Sequence, residues 1–267
     1  MRRPQAAAYP FLDFPGPLAF AHRGGARYAG NVGYENSLHA FERAIDLGYR
    51  YLETDVHATA DGVLLAFHDA TLDRVTDGAG HIAELTQAEV RQARIGGRYP
   101  IPTLAELLTS WPHIRVNVDV KHAGAIRPLA RVVGDLAAED RVCVASCSLA
   151  RLRAARAELA PRVATALSPI GVAGLRLLPV PRLRALALAS DAPCVQVPIA
   201  RAGLAVVTPG FVRRAHRLGK QVHVWTVDDA ATMSRLLDQG VDGIMTDRID
   251  TLREVLTARG QWYGGGR

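Results

Sequence analysis

Residues 221–258 read QVHVWTVDDAATMSRLLDQGVDGIMTDRIDTLREVLTA, and this stretch decides the fold. Gln221–Val227 has the short apolar pattern of a strand, and Ala230–Gln239 has helical periodicity. Gly243–Thr246 and Thr251–Ala258 repeat the pair at once. The same alternation runs outward to the start of the chain. Leu18–His22, Tyr51–His57, Ile114–Lys121, Val142–Ser146, Val163–Leu167 and Cys194–Val197 are the earlier strands. Ser37–Leu47 reads as a helix, with Leu38, Phe41, Ala44 and Ile45 on one face and Gly48 as its stop. Ala125–Ala138, Leu149–Leu159, a Pro-interrupted stretch after the fifth strand, and Pro209–Leu218 are further helices.

Eight βα units in one chain predict an α/β fold whose parallel sheet closes on itself, a TIM (β/α)8 barrel. The second unit is too long. Between Asp55 and Pro102 lie the turn signals Asp61-Gly62 and Asp77-Gly78 and the strand-like Val63–Phe67, which predict a small β-hairpin-type insertion after strand 2. Residues 17–258 then form a single domain with an insertion at about 58–100. Residues 1–16 and 259–267 are terminal extensions, the Gly-rich Trp262–Arg267 being frayed.

The 267 residues, 49% hydrophobic and 22% charged, exclude disorder, collagen and a coiled coil as global descriptions. The net charge of +6 invites a nucleic-acid partner. Its distribution argues against one: arginines such as Arg151, Arg153 and Arg156 are scattered at helical spacing, with no basic run or tail. An anionic small substrate suits the charge equally well. Cys143, Cys147 and Cys194 are odd in number and sit in apolar stretches, so free buried thiols and a reducing compartment are expected. The start MRRPQAAAYPFLDFPGP lacks the apolar run of a secretory signal, and no 18-residue apolar span exists. A cytoplasmic protein without stable membrane insertion is expected; the sequence does not bear on oligomeric state.

In such a barrel, chemistry gathers at the C-terminal ends of the strands. Here those ends are polar. Strand one ends His22-Arg23-Gly24-Gly25, strand two carries Glu53 and Asp55, strand three ends Asp119-Val120-Lys121, strand seven carries Trp225, and the insertion carries His68-Asp69. Side chains alternate along a strand, so Glu53 and Asp55 share a side, as do Asp119 and Lys121. If that side is the interior, three carboxylates and one ammonium share a mouth. Carboxylates so placed repel one another, and a hard divalent cation such as Mg²⁺ or Ca²⁺ would relieve them. The plainer alternative is that Glu53 and Asp55 face the helices and pair with arginines.

Gly24 and Gly25 would let backbone N–H groups approach a phosphate while Arg23 forks onto its oxygens. His22 and His68 could act as base and acid across an in-line displacement. Lys121 is one of only two lysines, in a chain that otherwise uses arginine. A compact ammonium there suits a phosphate point charge or an amine nucleophile. His57 could line the same mouth or cap the strand, and Trp225 could wall a pocket or sit in the core. His39, His81, His113, His122, His216 and His223 show no partner pattern.

The ordered motifs from Ala21 to Asp247 resemble the glycerophosphodiester phosphodiesterases, TIM-barrel enzymes of the phospholipase-C-like phosphodiesterase group. The resemblance is carried by His22-Arg23-Gly24, Glu35-Asn36-Ser37, Glu53-Thr54-Asp55-Val56, His68-Asp69 and Ile101-Pro102-Thr103-Leu104. It continues through Asp119-Val120-Lys121, Val224-Trp225-Thr226-Val227 and Gly240–Asp247. It implies hydrolysis of a small glycerophosphodiester to glycerol phosphate and an alcohol, through a cyclic phosphate. It implies metal ligands at Glu53, Asp55 and Asp119, catalytic histidines at His22 and His68, phosphate contacts from Arg23 and Lys121, and a site-shaping role for Glu35 and Asn36. Three positions depart from the family pattern: Tyr34 replaces a proline, Asp119 a glutamate, and Arg248-Ile249 stand where a proline is usual.

Rival expectations are a relative acting on lysophospholipids or sphingolipids, a Schiff-base lyase using Lys121, and a non-catalytic phosphodiester-binding barrel. The insertion has no aromatic cluster suited to a lipid surface, the lyase leaves Glu53 and Asp55 unexplained, and the complete polar set argues against a decayed enzyme.

Overall fold

The structure, a computed structural model, describes residues 6–178 and 192–264. Its strands are β1 (Leu18–His22), β2 (Tyr51–Ala58), β3 (Leu64–Ala66), β4 (Arg94–Ile95), β5 (Tyr99–Pro100), β6 (Arg115–Val120) and β7 (Val142–Ala145). They continue with β8 (Ala164–Thr165), β9 (Cys194–Pro198), β10 (Ala200–Arg201), β11 (Leu204–Ala205), β12 (Gln221–Trp225) and β13 (Gly243–Thr246). Eight of them form a parallel sheet in the order β8-β7-β6-β2-β1-β13-β12-β9. A parallel bridge between Ala166 and Cys194 joins the two ends, and the Leu167 N–H donates to the Cys194 carbonyl at 2.9 Å. The barrel is thereby closed, with each of its eight strands where the sequence pattern puts one.

Alternation sorts the two faces. Val116, Val118 and Val120 of β6 pack outward with Leu52 and Val56 of β2 into the layer beneath the helices. Phe20, Tyr51, Cys143, Ala164, Ala166, Cys194 and Met245 fill the interior. The segment before β1 completes that interior: Phe11 and Leu12 are buried in it, and the Tyr51 hydroxyl donates to the Phe11 carbonyl at 2.8 Å. Burying Phe11 alone contributes about 1.5–3 kcal/mol, so this part of the extension acts as the barrel floor. At the other terminus Trp262 packs edge-on against Tyr49, so the Gly-rich tail begins on a packed residue, and its last three residues lie outside the described residues.

The shell helices match the periodicity, with one addition. Leu104–Ser110 is the helix of the second unit. Its start was legible in Thr103 and Glu106, which form a capping box. The helix after β8 runs Pro169–Leu177, and the rest of the Pro-interrupted stretch lies outside the described residues. The insertion is a small body with its own core of Leu65, Phe67, Leu72, Ile82, Val90, Ala93, Ile95 and Ile101. It starts with β3, which runs antiparallel along the outer end of β2.

Cys143 and Cys194 are buried thiols facing each other inside the barrel, whereas Cys147 is exposed, against expectation, because the chain has left β7 for a loop. No helix among the described residues is long and apolar enough to cross a membrane.

Candidate active site

Register builds the site. His22 at the end of β1 lies opposite Glu53 on β2, and Asp55 lies opposite Asp119 on β6. Glu53 and Asp55 are two apart on one strand, so all four side chains enter the barrel mouth. The alternative in which the two acids face the helices is excluded: Thr54 takes the outward position, its hydroxyl donating to Asn36 Oδ1 at 2.8 Å.

The chain leaves β1 through three consecutive left-handed residues, Arg23, Gly24 and Gly25, with φ of 50°, 84° and 89°. The glycines differ from their sequence-based reading as a phosphate cradle. Both N–H groups are used within the turn, donating to the Ala21 and His22 carbonyls at 3.2 and 2.8 Å. What glycine supplies is close approach, since a Cβ at position 24 would meet Ala40 at 2.8 Å and one at 25 would meet Ile249 at 2.7 Å. Arg23 pays for its left-handed backbone by reaching back over the mouth, a strained conformation of the kind that clusters at functional sites. Its Nη1 donates to Glu35 Oε1 at 3.0 Å, and its Nε lies 3.2 Å from Asp55 Oδ2 without the alignment of a hydrogen bond.

Asn36, also left-handed at φ 59°, donates its N–H to the Arg23 carbonyl at 2.9 Å. With its Thr54 contact it braces the turn from the far face of β2. Glu35 is held by Arg23 and by Arg74, whose Nη2 is 2.8 Å from Oε1. Burial opposes ionisation of Glu35, but these two guanidinium groups outweigh it and keep its pKa below the usual value.

Lys121 Nζ bridges Asp55 Oδ1 at 2.8 Å and Asp119 Oδ2 at 2.6 Å. Burial would lower its pKa, but the two carboxylates raise it above the ordinary lysine value. A lysine so held stays protonated, which suits a phosphate contact and not a Schiff-base nucleophile. Glu53 has no such partner. Burial, with the neighbouring Asp55 charge, pushes its pKa up to about 8. Asp55 is held below the usual range because Lys121 and Arg23 outweigh its burial.

Both histidines expected at the site are there, and each has an aspartate on Nδ1. His22 Nδ1 is 2.7 Å from Asp247 Oδ1, with Nε2 turned to Glu53 at 3.7 Å. Burial disfavours its charged form, yet Glu53 and Asp247 raise its pKa above the ordinary histidine value. His68 stands two residues past β3. The Phe67 N–H donates to the Asp55 carbonyl at 2.9 Å, which brings His68 to the mouth, and His68 Nδ1 is 2.6 Å from Asp69 Oδ1. His57 lines the same region: it is buried and its Nε2–H donates to the His68 carbonyl at 3.0 Å. Trp225 is half-buried at the end of β12, against the apolar interior. The second lysine, Lys220, is buried away from the mouth and donates to the Ala192 carbonyl.

Sequence reasoning assigned no role to Asp247 or Arg74. Asp247 follows the last strand directly, so the rule that flagged the other strand ends applied to it. Arg74 lies in an irregular turn, where spacing carries no signal.

Among the described residues, no three His, Cys, Asp or Glu side chains converge as a finished metal cage. Lys121 and Arg23 stand among the carboxylates. The donor set nonetheless fits a hard cation. Asp55 Oδ2 and Asp119 Oδ1 are buried oxygens with no hydrogen-bond partner, and Glu53 is a buried acid touched by no lysine or arginine side chain, its nearest cationic group being His22 Nε2 at 3.7 Å.

Residues 22–251 match the model of the glycerophosphoryl diester phosphodiesterase family. A probable glycerophosphodiester phosphodiesterase of Mycobacterium tuberculosis is 43% identical over 95% of this chain and 96% of its own length. A crystal structure of a Silicibacter pomeroyi protein, described as a putative glycerophosphoryl diester phosphodiesterase, superposes with a TM-score of 0.76 at 24% identity. That match covers 94% of this chain and 98% of the other. An Oleispira antarctica phosphodiesterase, solved with the product sn-glycerol-3-phosphate, superposes with a TM-score of 0.73 at 24% identity over 90% of this chain and 97% of its own. With the family model spanning the barrel and a relative this similar end to end, the chain is an enzyme of the glycerophosphoryl diester phosphodiesterase family.

Proposed function

We propose that the protein hydrolyses glycerophosphodiesters to glycerol phosphate and an alcohol, with His22 and His68 as its acid–base pair and a divalent cation held by Glu53, Asp55 and Asp119. The observation that carries this reading is the pair of His–Asp units, His22–Asp247 and His68–Asp69, set around one row of inward-facing carboxylates. An aspartate on Nδ1 fixes the tautomer and leaves Nε2 for proton transfer.

Arg23 and Lys121 are the cations placed to receive the phosphodiester. Mg²⁺ or Ca²⁺, when bound, would supply Lewis-acid withdrawal of charge from the phosphoryl oxygens. His22, whose charged form is supported by Glu53 and Asp247, suits protonation of the leaving alcohol. His68 is then the base that takes the proton of the attacking hydroxyl. With a glycerol moiety, that hydroxyl belongs to the substrate itself, and attack from a tethered group needs little further loss of entropy. The cyclic phosphate is opened by water, with the two histidines exchanging roles. Glu35 and Asn36 shape the site by holding Arg23, and Trp225 walls its apolar side.

A release assay on a panel of glycerophosphodiesters, run with and without EDTA, tests the reading. Release of glycerol phosphate that stops on chelation is expected. No turnover of any panel member in the presence of Mg²⁺ or Ca²⁺ would overturn it.

A further inference from the structure

We infer that Arg74 is a positioning residue for His68: its guanidinium forks onto Glu35 and Asp69 at once and so fixes the ring of His68 at the mouth. The inference rests on the proposed acid–base role of His68.

Arg74 Nε donates to Asp69 Oδ2 at 2.5 Å and Nη2 to Asp69 Oδ1 at 3.1 Å. On its other edge, Nη1 and Nη2 donate to Glu35 Oε2 and Oε1 at 3.1 and 2.8 Å. Both carboxylates lead into the site. Asp69 Oδ1 also contacts His68 Nδ1, and Glu35 Oε1 also accepts from Arg23, which faces Asp55. One unbroken chain of charged groups therefore links the loop after β1 to the insertion, and Arg74, itself part of the insertion, reaches across to Glu35 while holding Asp69 on its own segment.

The contact is unsuited to a purely stabilising role. The Arg74 side chain is 48% exposed, and ion pairs in such settings contribute little to stability. Docking of the insertion has another source: Tyr99 stacks on His39 at 4.5 Å and meets Tyr34 edge-on at 5.0 Å. The backbone at His68 is held separately, by His57. What the aromatic cluster and His57 leave undetermined is the rotation of the Asp69 carboxylate, and through it the His68 ring. A planar fork with two parallel donors fixes such a rotation, whereas a lysine ammonium cannot engage both carboxylates in this geometry.

The test compares Arg74→Ala, Arg74→Lys and Tyr99→Ala with the wild type. It uses turnover of glycerophosphocholine, thermal unfolding, and the ¹⁵N and Nδ1-proton resonances of the His68 ring. Arg74→Ala should lower kcat by about 10–100-fold, the cost of a misplaced catalytic group, with KM within about threefold. Arg74→Lys should not restore it, and in both variants the His68 Nδ1 signal should shift or broaden while Tm stays near wild type. Tyr99→Ala should lower Tm instead, with kcat nearly kept at temperatures where it is folded. Wild-type kcat with an unchanged His68 signal in Arg74→Ala, or full rescue by lysine, would overturn the inference. If the wild type turns over neither glycerophosphocholine nor any other glycerophosphodiester of the panel, the proposed function fails, and the His68 signal alone decides the role of Arg74.

Discussion

His22 and Asp247, 225 positions apart in sequence, meet at 2.7 Å because β1 and β13, the first and last strands, are neighbours in the closed barrel. Asp247 is itself fixed: its N–H donates to Asp228 Oδ1 at 2.9 Å, and Asp228 Oδ2 accepts from Arg27. The ring of His22 is thus oriented by barrel closure, with Arg27 of its own loop bracing Asp247 and Asp228 from the side.

Asp247→Asn keeps the shape but loses the charge that supports protonated His22. A drop in kcat of about 10²–10⁴ is expected, as for a lost tautomer-fixing carboxylate, with the fold intact by circular dichroism. Wild-type turnover in this variant would remove the orienting role.

His22→Ala and His68→Ala should each lower kcat by about 10²–10⁴. His216→Ala is the control, because His216 contacts Asp242 on the outside of the barrel, at 2.8 Å and far from the mouth. Steady-state kinetics on the three variants checks this; equal losses at all three would dissolve the case for a catalytic pair.

Glu53 gives a pH signature. Its pKa is about 8 in the fold against an ordinary 4.5, so between those values the folded state holds a proton that the unfolded state has lost. Stability of the metal-free protein should therefore fall as pH rises from about 5 to about 8. Glu53→Gln should flatten that decline and melt higher than wild type at pH 8, and should lose activity. Excess Mg²⁺ or Ca²⁺ should raise Tm of the wild type more than that of the variant, which keeps only Asp55 and Asp119 as charged ligands. Parallel melting curves across this pH range for the two proteins would contradict a Glu53 carboxyl whose burial raises its pKa.

Asp119 is one methylene shorter than the glutamate of the family pattern, and one of its oxygens is buried without a partner. Asp119→Glu should retain activity within about tenfold, while Asp119→Asn should lose about 10–100-fold in metal affinity. Metal titrations by calorimetry decide between them, and wild-type affinity in the asparagine variant would exclude Asp119 as a ligand.

Much of this was legible in the linear pattern. Strand and helix periods are local properties, and alternation along β2 and β6 places Glu53, Asp55, Asp119 and Lys121 on shared faces whatever the fold around them. The order of strand ends therefore located the mouth, and the motif set located the family. What the sequence determined by itself was which residues share a face. Only the tertiary structure decided which of them touch. Lys121 bridging Asp55 and Asp119, Asp247 orienting His22, and Arg74 joining two loops depend on the stagger of parallel strands and on the docking of the insertion. So does the floor built from Phe11 and Leu12, whose burial depends on a barrel interior assembled from strands far along the chain. Electrostatics and packing act through space, and the distances that govern them are set by closure of the sheet, which no local window of sequence contains.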